Sequence, residues 1–241
     1  MSQQLRRLPI FASAAALAFA LAACGTEQGE DEYAPEFEAD QGQLPVPETR
    51  ADYPDVVGWQ VGRAFPNLSF IGYANFKEGA PGQYQLIHMS DFYNPTGDEM
   101  WPEGSPYGTG PKPKAIVMDI SAVWCDPCKY ESSVIIPQQY DKFGPMGGYF
   151  MTALIEGNDT QNPRPTTFDE LTSWAQSYKF DVPLVLDPEW NTRVFLDEGW
   201  PTNLIIRTSD MKVIDRLGGV PEPGDPFWST FESVINGTYQ G

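Results

Sequence analysis

Two of the three cysteines in this 241-residue chain lie three positions apart, in the segment Trp124-Cys125-Asp126-Pro127-Cys128-Lys129. A cysteine at the beginning of a helix is activated, because the unpaired N–H groups and the helix dipole stabilise its thiolate. A second cysteine one turn later can attack a mixed disulfide and release the bound partner. Pro127 suits the first helical turn because it has no N–H to lose. We therefore expect thiol–disulfide exchange, with Cys125 as the exposed nucleophile, Cys128 as the resolving thiol and a Cys125–Cys128 disulfide in the oxidised protein.

Two other uses of the cysteine pair are a metal site and a structural bridge. A tetrahedral zinc site needs four ligands, but the chain has no second cysteine pair and a single histidine, His88. Copper delivery would require further histidine or methionine ligands. A structural disulfide across two residues would close a very small loop and stabilise little by the loop-entropy argument. We favour redox chemistry, and we predict neither a metal nor another cofactor.

The elements that must position the cysteines begin with a predicted buried strand. Residues 114–120 form an apolar run interrupted by Asp119, and this strand leads directly to the cysteine pair. A lone carboxyl inside such a strand should have a raised pKa and exchange protons near neutrality. The alternative for Asp119 is a core polar residue whose hydrogen bonds are satisfied.

The remaining pattern predicts an α/β fold, with a mixed central sheet, helices on both faces and an N-terminal β-hairpin. The other predicted elements are a hairpin at 68–73 and 84–89 around the turn 79–82, strands at 149–155 and 182–186, a helix opened by the capping pair Thr167 and Glu170, a hairpin at 202–207 and 212–217, and a last helix at 225–235.

The N-terminal 23 residues have the layout of a secretory signal, in which an arginine pair precedes an apolar run at 10–20. That run is too short to span a bilayer. The segment Leu21-Ala22-Ala23-Cys24-Gly25 resembles the bacterial lipobox, and the resemblance implies that Cys24 becomes the lipidated first residue. The alternative is an ordinary signal peptide with a chance cysteine. We expect a lipid-anchored protein of the cell envelope that contacts the membrane through its anchor alone.

Charge and composition divide the rest of the chain in two. Residues 24–56 are acidic and poor in large apolar residues, which predicts a flexible tether. Residues 57–241 suffice for one α/β domain, and the Gly- and Pro-rich stretch 94–113 predicts a surface loop insertion. The formal net charge of −18 disfavours binding to nucleic acid or to anionic lipid, which would repel the chain.

The segment from Asp119 to Lys129 resembles the active-site segment of thioredoxins. In that family the acid six residues before the first cysteine transfers protons to the resolving thiol, and the resemblance implies this role for Asp119. The segment Trp200-Pro201-Thr202 resembles the family's cis-proline loop, which packs beside the dithiol and receives the substrate backbone. An X-Pro bond can be cis at modest cost. The alternative for Pro201 is an ordinary trans turn before a strand.

A narrower resemblance, over roughly residues 57–240, is to membrane-anchored, redoxin-domain lipoproteins of the ResA/TlpA type. It is carried by residues 61–68, by residues 199–206 and by Glu131, and the chain departs from it in the loop 94–113 and at Pro137. The resemblance implies a domain facing the periplasm or exterior, disulfide-containing exported proteins as substrates and a membrane thiol electron donor. The expected neighbours of the dithiol are Trp124, Asp126, Pro127, Glu131, Trp200 and Thr202.

The acids near the dithiol bear on the direction of electron flow. Asp126 and Glu131 would disfavour the thiolate and so favour a reductase. A disulfide oxidase or isomerase is the alternative, and so is a redox-inert binding module that retains the fold. A peroxidase is disfavoured, because Ala122 occupies the position where peroxiredoxins have Thr or Ser.

Overall fold

The computed structural model describes residues 50–76, 84–179 and 181–241. The predicted signal segment, Cys24, most of the predicted tether and the predicted turn at 79–82 lie outside these ranges. Within them, no helix is both long and apolar enough to cross a membrane.

The centre of the domain is a seven-stranded mixed sheet with strand order β2-β1-β5-β4-β3-β6-β7. Strand β3 runs parallel to β4 and antiparallel to β6, so it lies inside the sheet with all eight of its residues buried. The strands are β1 Ser69–Tyr73, β2 Tyr84–His88, β3 Ala115–Ala122, β4 Gly148–Glu156, β5 Leu184–Leu186, β6 Thr202–Arg207 and β7 Lys212–Gly218.

Within the described ranges, four α-helices alternate with the strands in the predicted order, and the last of them follows β7. They are α1 Asp126–Tyr130, α2 Ile136–Phe143, α3 Phe168–Tyr178 and α4 Pro226–Ile235, and shorter 3₁₀ segments are Met89–Phe92, Gly144–Met146 and Asn191–Glu198. The predicted capping box opens α3, because the Thr167 hydroxyl accepts from the Glu170 N–H while the Glu170 carboxylate accepts from the Thr167 N–H. The N-terminal hairpin is confirmed by the antiparallel pairing of β1 with β2.

The two faces of the sheet are covered in different ways. Apolar residues of all four α-helices pack on one face, together with Val117 of β3 and both cysteines of the pair. The other face, which contains Ile116 and Met118, is covered by Phe65, Phe92 and other residues of the N-terminal segments, 3₁₀ segments and loops. The predicted thioredoxin-like α/β fold is confirmed, with 3₁₀ rather than α-helical segments on this second face.

The folded part of the chain begins earlier than the predicted boundary at residue 57. The Tyr53 hydroxyl donates a hydrogen bond of 2.7 Å to the Phe65 carbonyl, and Arg50 Nη1 lies 2.6 Å from Glu99 Oε2. The loop 94–113 is likewise held on the domain, because Tyr107 is buried against the Phe92 ring. An ion pair and a buried tyrosine thus join residues 50–53, which lie before the predicted domain start at residue 57, to the domain.

The helix that follows the dithiol changes its winding where the sequence departs from the family pattern. Between α1 and α2 the chain forms one π-helical stretch, Glu131–Ile135. Pro137 lies in the first turn of α2 and has no N–H to donate. The change from π-helical to α-helical hydrogen bonding just before it means that the helix loses no hydrogen bond at this position. The wider turn places Glu131 and Ser132 among the buried residues.

Candidate active site

Cys125 and Cys128 are joined in a disulfide at the point where β3 passes into α1. The S–S distance is 2.07 Å and the Cα–Cα distance is 5.3 Å. Cys125 is the N-cap residue of α1 with extended backbone angles, and its sulfur accepts a hydrogen bond of 3.1 Å from the Cys128 N–H. Pro127 lies in the first turn, as predicted. The helix N-terminus therefore directs an N–H group at the Cys125 sulfur.

The expectation that Cys125 is exposed is wrong for this oxidised form, in which the residue is 1 % accessible to solvent. Trp124 and Trp200 both pack against the core cluster that contains the two cysteines. Their rings meet edge to face, with centroids 5.7 Å apart. Two large aromatic side chains thus pack together against the same core cluster as the buried Cys125.

The proline loop lies next to the dithiol because of the strand register. The Trp200–Pro201 peptide bond is cis, in agreement with the sequence resemblance. Thr202, the first residue of β6, pairs with Ile120 of β3, five positions before Cys125. The Thr202 hydroxyl donates to the Gly199 carbonyl at 2.7 Å and closes the loop. Pro201 is buried at this end of the sheet.

Asp119 is buried on the sheet face that also carries the cysteines. Its neighbours on β3 with the same orientation, Ala115 and Val117, pack in the cluster that contains Cys128. Ser121 Oγ donates to its Oδ1 at 2.7 Å, and Thr152 Oγ1 donates to its Oδ2 at 3.1 Å. Burial raises the pKa of Asp119 to about 7, although both hydrogen bonds oppose the shift. This carboxyl can therefore hold or release a proton near neutral pH.

Glu131, the second acid expected near the dithiol, lies in the interior of the domain. It is fully buried, and Asn203 Nδ2 donates to its Oε2 at 3.3 Å. Its Oε1 has no hydrogen-bond partner among the described residues. Burial, and secondarily the nearby Asp119, raise the pKa of Glu131 well above its usual range. Burial therefore disfavours the charged form of Glu131, which weakens its expected contribution of negative charge near the dithiol.

Asp126 is the expected acid that does lie at the surface. Its side chain is 89 % exposed and accepts a hydrogen bond of 2.9 Å from Lys129 Nζ. A cavity of about 360 Å³ begins beside this pair. The dithiol segment contributes Val123 and Lys129 to its lining, and α3 contributes Asp169, Glu170, Ser173, Trp174, Ser177 and Tyr178.

Four residues of the site escaped the sequence analysis. Thr152 and Asn203 stand directly opposite Asp119 on the two strands beside β3. The signal that could have identified them is a polar residue inside an otherwise apolar predicted strand. Glu156 also contacts the dithiol segment, because it accepts a hydrogen bond from the Trp124 indole, and Arg193 forms an ion pair of 3.3 Å with Glu156. No local pattern marks that connection.

No family model matches the chain, and neither does any curated protein. Among solved structures, a Chlorobium tepidum protein assigned as a DsbE thiol:disulfide interchange protein is 17 % identical, with 70 % of this chain and 94 % of that chain covered and a TM-score of 0.48. The thioredoxin domain of a Bacteroides vulgatus thiol-disulfide oxidoreductase is 15 % identical, with coverage of 73 % and 99 % and a TM-score of 0.46. At these identities and TM-scores, the similarities carry no argument about activity.

The raised pKa of Asp119 makes the stability of the protein depend on pH. Its pKa rises from 3.8 to about 7 on folding, so the folded protein binds this proton more tightly than the unfolded chain. The resulting stabilisation is complete below pH of about 4 and is lost as the pH rises through about 7. We expect the free energy of unfolding of Asp119→Asn, measured by urea denaturation relative to wild type, to increase progressively between these pH values.

Asp141→Asn is the control for this measurement, because it removes an exposed carboxyl from α2 while the dithiol region is unchanged. A difference between Asp119→Asn and wild type that stays constant across the pH range would contradict the assignment of a raised pKa to Asp119.

Proposed function

We propose that this protein is a thiol–disulfide oxidoreductase that reduces disulfides in exported proteins through the Cys125–Cys128 dithiol. The observation that carries the proposal is the placement of this disulfide at the N-terminus of α1, where the Cys128 N–H donates to the Cys125 sulfur. The cis-Pro201 loop beside it and the buried Asp119 on the same sheet face support the proposal.

The chemistry begins with the reduced dithiol. The Cys125 thiolate attacks one sulfur of a substrate disulfide, which forms a mixed disulfide and releases the first substrate thiolate. The Cys128 thiolate then attacks Cys125 Sγ, which forms the Cys125–Cys128 disulfide and releases the second substrate thiolate. Two electrons pass to the substrate, and a membrane thiol donor returns two electrons to the protein. Asp119, with its pKa of about 7, accepts the proton of Cys128 in the second step.

Reduction of insulin disulfides by dithiothreitol tests this proposal through the cysteines. We expect the full chain to accelerate insulin precipitation and Cys125→Ser to fall to the uncatalysed rate, because it lacks the attacking thiolate. Cys128→Ser should retain the first step and accumulate a mixed disulfide with insulin, detectable by mass spectrometry. Cys24→Ser is the matched control and should keep the wild-type rate. Insulin reduction that persists in Cys125→Ser would exclude the dithiol as the catalytic group.

The reductase direction rests on the surface charge next to the nucleophile. The carboxylate of Asp126 is exposed, follows Cys125 directly and disfavours the Cys125 thiolate, so it favours the disulfide form. Lys129 offsets part of this charge at 2.9 Å. A pair whose reduced form is not stabilised is the better reductant.

The reduction potential of the Cys125–Cys128 couple distinguishes the two directions. We expect a value near that of thioredoxin, about −270 mV, in equilibrium with glutathione and dithiothreitol buffers. Asp126→Asn should make the potential less negative, because it removes the charge that opposes the thiolate, and Asp141→Asn is the control. A wild-type value near about −120 mV would instead identify an oxidant that installs disulfides.

We also propose that Cys24 carries a lipid that anchors the domain to a bacterial membrane on its periplasmic or outer side. The lipobox-like segment 21–25 supports this proposal. In a bacterial host, radiolabelled palmitate should be incorporated into the wild type and into Cys125→Ser, whereas Cys24→Ser should remain unlabelled and leave the membrane fraction. Labelling of Cys24→Ser, or none of the wild type, would refute the anchor.

A further inference from the structure

Glu156 is a buried carboxylate that the proposed chemistry does not use. It is the last residue of β4 and is 4 % exposed. Its Oε1 accepts a hydrogen bond of 2.9 Å from the Trp124 indole N–H, and its main-chain carbonyl accepts one of 2.8 Å from the Val123 N–H. Glu156 therefore holds both residues that precede Cys125.

The second carboxylate oxygen of Glu156 connects the dithiol segment to the chain that leads into the proline loop. Arg193 Nη1 lies 3.3 Å from Glu156 Oε2. The Arg193 guanidinium lies over the Trp190 ring, 4.3 Å from its centroid, and the Trp190 indole donates to the Ile155 carbonyl at 2.9 Å. Arg193 belongs to the 3₁₀ segment Asn191–Glu198, which immediately precedes the turn containing Trp200.

These contacts determine where the Trp124 ring lies. A buried carboxylate is costly unless it is paired and hydrogen-bonded, and a tryptophan N–H within a packed region needs an acceptor. Glu156 satisfies both requirements with one bond to Trp124 and one ion pair to Arg193. The Trp124 ring then meets Trp200 edge to face at 5.7 Å, both rings pack against the cluster that contains Cys125, and Cys125 is 1 % exposed.

We infer that Glu156 is a positioning residue that holds Trp124 against Trp200 over Cys125, so that access to the disulfide is restricted. It acts through the hydrogen bond to the Trp124 indole, and Arg193 keeps its carboxylate in place. A partner that reaches the Cys125 sulfur must displace the paired indoles, whereas a small thiol in solution has little binding energy with which to do so. The inference deepens the proposed function by assigning the control of access to the same dithiol.

The rate at which dithiothreitol reduces the Cys125–Cys128 disulfide in the full chain tests this inference, with acid quenching, thiol alkylation and mass spectrometry as the readout. We expect Glu156→Ala to increase the rate about fivefold or more, the factor that corresponds to loss of one buried hydrogen bond. Glu156→Gln keeps an acceptor oxygen for the Trp124 N–H and should rescue a rate within about twofold of wild type. Trp124→Phe removes the donor and should reproduce the effect of Glu156→Ala.

Asp210→Ala is the matched control, because it removes a carboxylate that is ion-paired with Arg207 at 2.7 Å on the turn between β6 and β7. It should leave the dithiothreitol rate unchanged. Unchanged rates in Glu156→Ala and Trp124→Phe would overturn the inference, as would an equal increase in Glu156→Gln or in Asp210→Ala. If Glu156→Ala does not fold, the comparison of Trp124→Phe with Glu156→Gln decides the outcome.

This experiment is independent of catalysis, because it follows reduction of the protein's own disulfide. If the proposed function is wrong and the positioning role is right, the protein does not reduce insulin, but the variants still differ from wild type in the rate at which dithiothreitol reduces their disulfide. If only the positioning role is wrong, insulin reduction still depends on Cys125, but dithiothreitol reduces the disulfides of all variants at the wild-type rate.

Discussion

The hydrogen bond from the Cys128 N–H to the Cys125 sulfur depends on where α1 begins, and most of the domain serves to hold that point in place. Cys125 has an extended backbone while the next residues are helical, so the sulfur can occupy the N-cap position. β3 delivers Cys125 there from the interior of the sheet, between β4 and β6. Because both neighbouring strands are hydrogen-bonded to β3, the start of α1 has little freedom to move.

Beneath this point the fold retains two carboxyls in an apolar region. Burying a carboxylate without a cationic partner is expensive, so the protonated forms of Asp119 and Glu131 are favoured. Hydroxyls of Ser121 and Thr152 donate to Asp119, and the Asn203 amide donates to Glu131, which offsets part of the cost. The result is a pair of buried carboxyls with raised pKa values close to the strand and helix that hold the cysteines.

Aromatic packing determines how the sulfur meets solvent. On the far face of the sheet, stacked rings such as Phe65 and Phe195 anchor the N-terminal segment and the 3₁₀ segment Asn191–Glu198. That segment carries Arg193, and through Glu156 it is linked to the Trp124 indole. The packing of the sheet face that carries Phe65 and Phe195 is therefore linked to the position of Trp124, although the cysteines pack on the opposite face.

The sequence by itself determined the elements and their order, because strand and helix formation depend on residues close together in the chain. The apolar run before Cys125, the Thr167 capping box and Pro127 in the first turn of α1 are all local patterns, and the structure contains each of them. Asp119 could be recognised for the same reason, as a single acid within an apolar run.

Only the tertiary structure decided which side chains surround the dithiol. Glu131 is buried because a π-helical turn and the neighbouring Asn203, 72 positions away, determine which way its helix face points. Trp200 packs against the cluster that contains both cysteines, and the Trp124 indole donates to Glu156, 32 positions along the chain. Arg50 joins the domain through Glu99. Such contacts arise from the packing of distant segments, and no pattern of neighbouring residues specifies them.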